Sequence, residues 1–177
     1  MTVELRPARV RDARALAALY RAERAFLAPF EPLRDPSFFT EDGQRRSLER
    51  TSELRAAGAL ERFLILDGGT PVGVLAISNI VRNAFQSANV GYFVAKEHNG
   101  RGVATRAVGL GVEWAFDSAG LHRLEAGTLV DNIGSQRVLE KNGFARIGLA
   151  PRYLKIAGAW RDHILFQVTV EDPGPSP

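Results

Sequence analysis

Gly100 and Gly102 stand between an apolar alternation, Val90-x-Tyr92-x-Val94, and a helical pattern that begins near Val103. Glycines at this spacing let a backbone turn tightly and approach a ligand with no Cβ in the way. The first amides of the following helix lack intrahelical acceptors, and its start carries partial positive charge. Strand, glycines and helix start together make an anion site of backbone N–H groups, suited to a pyrophosphate. The same pattern also serves as an ordinary glycine-rich connection. No Gly-Lys-Ser/Thr follows, so this is not a nucleoside triphosphate P-loop. The third glycine of a dinucleotide fingerprint would fall at Thr105, so that site is excluded too.

Other chemistries are narrowed by what the chain contains. It has no cysteine, which removes disulfides, thiolate metal sites and a covalent cysteine nucleophile, and suggests a cytoplasmic home. His98, His122 and His163 have no metal-ligand spacing and read as surface or satisfied core residues, so no metal is expected. The formal net charge of +3 favours mild attraction to a phosphorylated cofactor or ribosomal RNA, and no direct nucleic-acid binding is expected from it. No apolar run approaches the roughly 18 residues of a membrane span, and the first residues lack the apolar stretch of a signal peptide.

The elements that must position the loop follow from periodicity. At 177 residues the chain reads as one domain over 1–170, with a disordered tail over 171–177 that has nothing to pack. Val3–Pro7 alternates as a strand, and Asp12 is placed to cap a helix over about Ala13–Arg24. Phe26–Phe39 is aromatic and broken by Pro29, Pro32 and Pro36. Thr40 caps a polar helix that Gly58 stops. Phe63–Leu66 and Val72–Ile80 flank the hairpin signal Asp67-Gly-Gly-Thr70, and Ala88–Val94 is a third strand. A helix over about Val103–Ser118, a strand over Leu124–Leu129 and a helix capped by Asn132 and ended by Asn142-Gly143 follow. Strands near Arg152–Ile156 and Trp160–Val170 flank the turn Ala157-Gly-Ala159. The sum is an α/β (α+β) chain with a mostly antiparallel sheet of about seven strands and about four helices.

At this point the sequence resembles the GNAT superfamily of acetyl-CoA-dependent N-acetyltransferases. Asn99-Gly-Arg-Gly102-Val-Ala104 is similar to the family's pyrophosphate motif, Gln/Arg-x-x-Gly-x-Gly/Ala, except for Asn at its first position. Asn132-Ile-Gly-Ser135, followed by Val138-Leu-Glu-Lys-Asn-Gly-Phe144, resembles the family's Asn-x-x-Ser helix start and Leu-Gly-Phe helix end. Phe26–Asp35, Ser78–Asn83 and Tyr153–His163 resemble the RimJ/RimL-type branch, closest to RimJ-like ribosomal-protein alanine N-acetyltransferases.

The resemblance implies the GNAT acyltransferase fold, with two neighbouring strands splaying apart to hold acetyl-CoA. Phe93, Val94 and Ala95 would then bond the pantetheine through their backbone, with the Val94 amide polarising the thioester carbonyl. Asn99, Gly100, Arg101, Gly102, Val103, Ala104 and Thr105 would hold the pyrophosphate. Asn132 matches a residue that both caps its helix and binds the pantetheine arm. Ser135, in the first turn of that helix, would donate to the departing thiolate. Many members place a tyrosine seven residues after the Asn, but here that position is Leu139. Glu125 on the central strand is the candidate base, with an ion pair to Arg123 as its competing reading and a water relay as the alternative route. Some relatives carry an acid just before the tyrosine matched by Tyr153, whereas this chain has Arg152.

For the acceptor, Glu31 and Asp35 are candidates to bind an incoming ammonium, with Phe26, Phe30 and Tyr153 walling the pocket. Asp162 reads as a hairpin-ordering residue. The expected reaction is direct acetyl transfer in a ternary complex to a protein N-terminal α-amine, with a ribosomal protein or the ribosome as partner. The protein would be a monomer or homodimer. A small-amine acetyltransferase acting on an aminoglycoside or polyamine, and a non-catalytic acyl-CoA-binding module, are the competing readings.

Overall fold

The run Phe63-Leu-Ile-Leu66 is apolar at every position, as a strand covered on both faces requires. In the computed structural model, which describes residues 2–170, it lies in β2 (Leu60–Asp67), with Phe63 and Ile65 in one hydrophobic core and Leu64 and Leu66 in another. The other strands are β1 (Val3–Pro7), β3 (Thr70–Val81), β4 (Ser87–Val94), β5 (Arg123–Leu129), β6 (Ala145–Ile156) and β7 (Ala159–Thr169). They form one seven-stranded sheet in the order β1-β2-β3-β4-β5-β7-β6. Every neighbouring pair is antiparallel except β4 with β5.

Four helices cover this sheet: α1 (Ala13–Leu27), α2 (Glu41–Ala56), α3 (Val103–Glu113) and α4 (Ile133–Lys141). Val103, Ala107 and Val108 of α3 and Leu139 of α4 pack with Phe63, Ile65, Leu75, Leu124 and Phe166 on one face. Leu16, Tyr20 and Leu27 of α1 and Leu48 of α2 pack with Leu64, Leu66 and Val74 on the other. Among the described residues, no side chain of β5, β6 or β7 belongs to that second core. That core therefore does not extend over this half of the sheet.

Several expectations change in detail. Helix α1 continues through Leu27, beyond the expected end near Arg24, so Phe26 lies in the helix and not in the proline-broken stretch that begins at Pro29. Asp12 occupies the cap position without a capping bond. Its carboxylate instead takes both terminal nitrogens of Arg6, at 2.8 and 3.0 Å, as a charge-assisted bidentate pair, and also accepts from the Arg9 amide. The third helix leaves α geometry at Trp114, where Trp114–Ser118 forms a π turn closed by Ala119 N–H on the Trp114 carbonyl. β6 begins at Ala145, earlier than Arg152, and absorbs Gly148 and Pro151 at register shifts along the sheet edge. The tail over 171–177 lies outside the described residues.

Candidate active site

β4 and β5 run parallel but pair only at Ser87–Arg123, Ala88–Leu124 and Asn89–Glu125. β4 continues to Val94 and β5 to Leu129, so the two strands diverge beyond Asn89. Backbone groups of successive strand residues point to opposite edges. The Ala95 N–H donates to the Val72 carbonyl at 2.7 Å, and Phe93 shares that orientation. The N–H groups of Tyr92 and Val94 therefore face the gap. This corrects the expectation for Phe93–Ala95: of the three, only Val94 presents its backbone to the gap. Gly73 holds β4 in this position from behind, because a Cβ there would press into the Phe93 carbonyl oxygen.

A cavity of about 440 Å³ opens from the gap. Phe26, Leu27 and Phe30 wall one side, Tyr92–Val94 form its floor, and the glycine loop and α4 complete it. Gly100 and Gly102 both adopt left-handed backbone, with φ of 74° and 81°, a region open to glycine without Cβ strain. Gly102 is the N-cap of α3. The amides of Val103, Ala104 and Thr105 consequently have no intrahelical acceptor, and all three residues line the cavity with Asn99, Gly100 and Gly102. Arg101 points away from the lining, with its guanidinium 3.9 Å from Asp67. On the facing side, Arg137 and Lys141 stand one helical turn apart on α4 and also border the cavity. Free amides and two cations suit a pyrophosphate with a pantetheine arm running along β4.

At the far end of this cavity the Asn132 side-chain oxygen accepts from the Ser135 amide at 3.1 Å. That bond caps α4 and leaves the Asn132 amide nitrogen available to a ligand. Ser135 Oγ lies 2.9 Å from the Tyr92 hydroxyl. Burial pushes the Tyr92 phenol up to about 12, against the opposing pull of its bond to Ser135. Tyr92 is therefore protonated throughout the physiological range and holds the serine hydroxyl from behind.

A second cavity of about 240 Å³ fills the divergence between β4 and β5. It shares Phe30, Tyr92, Asn132 and Ser135 with the first, so the two meet around the Tyr92–Ser135 pair. Its remaining wall includes Gly127, Thr128 and His163. The Thr128 hydroxyl is buried and has no hydrogen-bond partner. His163 is only 3% exposed, with Nδ1 3.0 Å from the Arg161 carbonyl oxygen. The Tyr153 ring packs beside it at 5.6 Å between centroids.

The proposed acids sit elsewhere. Glu125 is outside the lining of both cavities, and its carboxylate lies 3.7 Å from Arg123. Glu31 borders a separate hollow of about 150 Å³ with Tyr20 and Arg34. Burial raises the Glu31 carboxyl above its usual range, with Arg34 at 3.7 Å opposing the shift. Asp35 is exposed and accepts from the Ser37 amide at 2.9 Å, which starts the short helix Pro36–Phe39. Asp162 accepts from the Arg152 amide at 2.7 Å and orders the last hairpin. Sequence reasoning gave no site role to Tyr92, Arg137 or Lys141, and read His163 as a surface or satisfied core residue. The signals were the alternation that puts Tyr92 with Val90 and Val94, and the four-residue spacing of the two cations. Among the described residues no His/Cys/Asp/Glu cluster could hold a metal, and no helix is long and apolar enough to cross a membrane.

Residues 2–145 match the model of the acetyltransferase (GNAT) domain. The chain is 37% identical to the probable N-acetyltransferase YjcK of Bacillus subtilis, over 97% of this chain and 96% of that one. It is 33% identical to the [ribosomal protein uS5]-alanine N-acetyltransferase of Escherichia coli, over 92% of this chain and 84% of that one. Among solved structures it superposes on Mycobacterium smegmatis RimJ in complex with CoA-disulfide with a TM-score of 0.92 and 36% identity, covering 98% of this chain and 85% of that one. Strand divergence, glycine-capped helix and sequence kinship agree: the chain belongs to the GNAT family of acetyltransferases, in its RimJ/RimL-type branch.

Proposed function

We propose that this enzyme transfers acetyl from acetyl-CoA to the α-amine of a protein N-terminus, that of a ribosomal protein. Acetyl-CoA is the co-substrate of an N-acetyltransferase of this branch. The observation that carries the acceptor reading is the pair of cavities meeting at Tyr92 and Ser135. One has the amides and cations of a phosphate site. The other is narrow and lined by apolar and polar groups together, which suits the end of an extended chain carrying an amine. The Escherichia coli relative is named for an alanine of ribosomal protein uS5, which supports the same acceptor class.

Each role follows from position. The amides of Val103–Thr105, with Arg137 and Lys141, hold the pyrophosphate. The Val94 N–H bonds the thioester oxygen as negative charge builds on it, a contribution of a few kcal/mol in a water-poor site. The Asn132 amide nitrogen holds the pantetheine arm, and the Ser135 hydroxyl donates to the sulfur as it departs. Phe26 and Phe30 wall the junction. A protein α-amine has a reference pKa of about 7.7–8.0, so much of it is already neutral near pH 7.5. Only modest base assistance is then needed.

The test is purified enzyme with acetyl-CoA and a panel of peptides beginning with Ala or Ser, lysine-containing peptides with blocked N-termini, polyamines and aminoglycosides. Tandem mass spectra should place the acetyl group on the α-amine. Acetylation confined to lysine side chains, or to the small amines, would overturn the reading.

A further inference from the structure

We propose that His163 is the base of this reaction, its Nε2 taking the proton from the acceptor amine; the assignment rests on the acetyl-transfer reading above. His163 stands opposite Leu129 across the β5–β7 ladder and forms part of the wall of the smaller cavity. Its Nδ1 faces the Arg161 carbonyl oxygen at 3.0 Å. A carbonyl can only accept, so in the neutral ring the proton sits on Nδ1 and Nε2 carries the free lone pair. The Tyr153 ring beside it fixes the plane of the imidazole.

The other groups near this cavity are otherwise engaged. Tyr92 is the only other titratable residue on its wall, and its phenol is a proton donor that burial makes still weaker as an acid. Glu125 pairs with Arg123, Asp131 lies 3.6 Å from Arg161, and Asp162 binds the Arg152 amide. Among the described residues His163 is thus the one side chain on this wall with a free basic nitrogen lone pair. It faces the region that an amine must cross to reach the junction at Ser135.

The amine nitrogen forms a bond to the acetyl carbon and loses a proton to Nε2. The carbon–sulfur bond breaks with its electron pair on sulfur. Sulfur takes a proton through the Ser135 hydroxyl, which is replenished by way of Tyr92 and solvent, and His163 later returns its proton to solvent.

Three measurements decide the matter. In the wild-type protein labelled with 15N-histidine, His163 should show a protonated Nδ1 and an unprotonated Nε2. His163→Gln should lower kcat by about 100-fold at saturating peptide, with acetyl-CoA affinity by calorimetry changed less than about twofold. His163→Ala should recover turnover as imidazole is added, since the small base can enter the space left. Wild-type kcat in His163→Gln, an opposite tautomer, or an imidazole-insensitive His163→Ala would each overturn the assignment. If His163→Gln fails to fold, the tautomer and the imidazole response still decide. A wild-type enzyme that binds CoA but acetylates no N-terminal peptide would instead sink the acceptor reading, and this proposal with it, before any variant is made.

Discussion

The Tyr92 hydroxyl and Ser135 Oγ lie 2.9 Å apart and join the free edge of β4 to the first turn of α4 where the two cavities meet. Tyr92 also reaches the Ser135 carbonyl oxygen at 3.3 Å. A half-buried serine hydroxyl has several rotamers open to it, and this partner selects among them. Either oxygen can donate across this pair; when Tyr92 does, the serine proton is free to point toward a leaving sulfur. The tyrosine that many relatives carry seven residues after the Asn is Leu139 here, but a phenol reaches the same neighbourhood from the strand.

Ser135→Ala should therefore lower kcat by about 10–100-fold while leaving acetyl-CoA affinity nearly unchanged, because sulfur becomes anionic only as the bond breaks. Tyr92→Phe should lower kcat less, by roughly 3–10-fold, since the serine remains but loses its orientation. The double variant should be no worse than Ser135→Ala alone. Fully multiplicative losses in this cycle would show that the two hydroxyls act independently.

Gly102→Val tests the pyrophosphate site. Gly102 needs φ of 81° to cap α3, a conformation that costs an ordinary L residue about 1–2 kcal/mol and a β-branched one more. The added side chain would also intrude where phosphate oxygens approach the amides. CoA affinity measured by calorimetry should fall at least about tenfold, equivalent to about 1.4 kcal/mol. Unchanged affinity in a folded variant would place the pyrophosphate elsewhere.

The glycine loop was legible in the sequence because its conformation is set by the local backbone. Two glycines between an apolar strand and a helix start fix the direction of the amides, whatever side chains surround them. The hairpin at Asp67–Thr70 and the cap at Asn132 were legible for the same reason: both are local. The acids were not. Glu125 was placed on the correct strand, but its partner Arg123 lies two residues away on the same face, and alternation alone does not say which ligand a carboxylate will choose. Glu31 and Asp35 sit in a proline-rich stretch without a period, so nothing in it fixes where a side chain points. His163 became visible only when β7 paired with β5 and set it opposite Leu129, a contact 34 residues distant in sequence that no local pattern encodes.

Acid stability should depend on the Arg6–Asp12 pair, which ties β1 to the start of α1. Burial opposes ionisation of Asp12, but the two bonds from Arg6 and one from the Arg9 amide outweigh it and hold the carboxyl below its ordinary value of 3.8. A lowered acid contributes stability that is complete above that ordinary value and is lost as pH falls through the folded value. Asp12→Asn should thus be less stable than wild type by about 1 kcal/mol at pH 7. The gap should close as the pH is taken below 3.8. Urea denaturation at pH 7 and at successively lower pH would check this; a gap that persists unchanged into acid would remove the ion pair as its cause.

The smaller cavity can be narrowed from Gly127, which replaces none of the proposed catalytic groups. Gly127 lies on β5 with its Cα facing that space, and a single Cβ there would meet Leu165, His163 and Tyr153 at 3.5–3.6 Å, ordinary contact distances. Gly127→Ala should accordingly fold and retain most activity. Gly127→Val adds two methyl groups that must project into the cavity or push the His163 and Tyr153 rings aside. The larger cavity, proposed above for acetyl-CoA, does not include Gly127 in its lining, so acetyl-CoA affinity should hold. The KM for an N-terminal peptide should rise by about tenfold, the equivalent of about 1.4 kcal/mol of lost acceptor binding. Steady-state kinetics with each substrate varied in turn separates the two effects. A rise in the acetyl-CoA term with no change for the peptide would mean that the strand gap serves the donor alone and that the acceptor enters from another side.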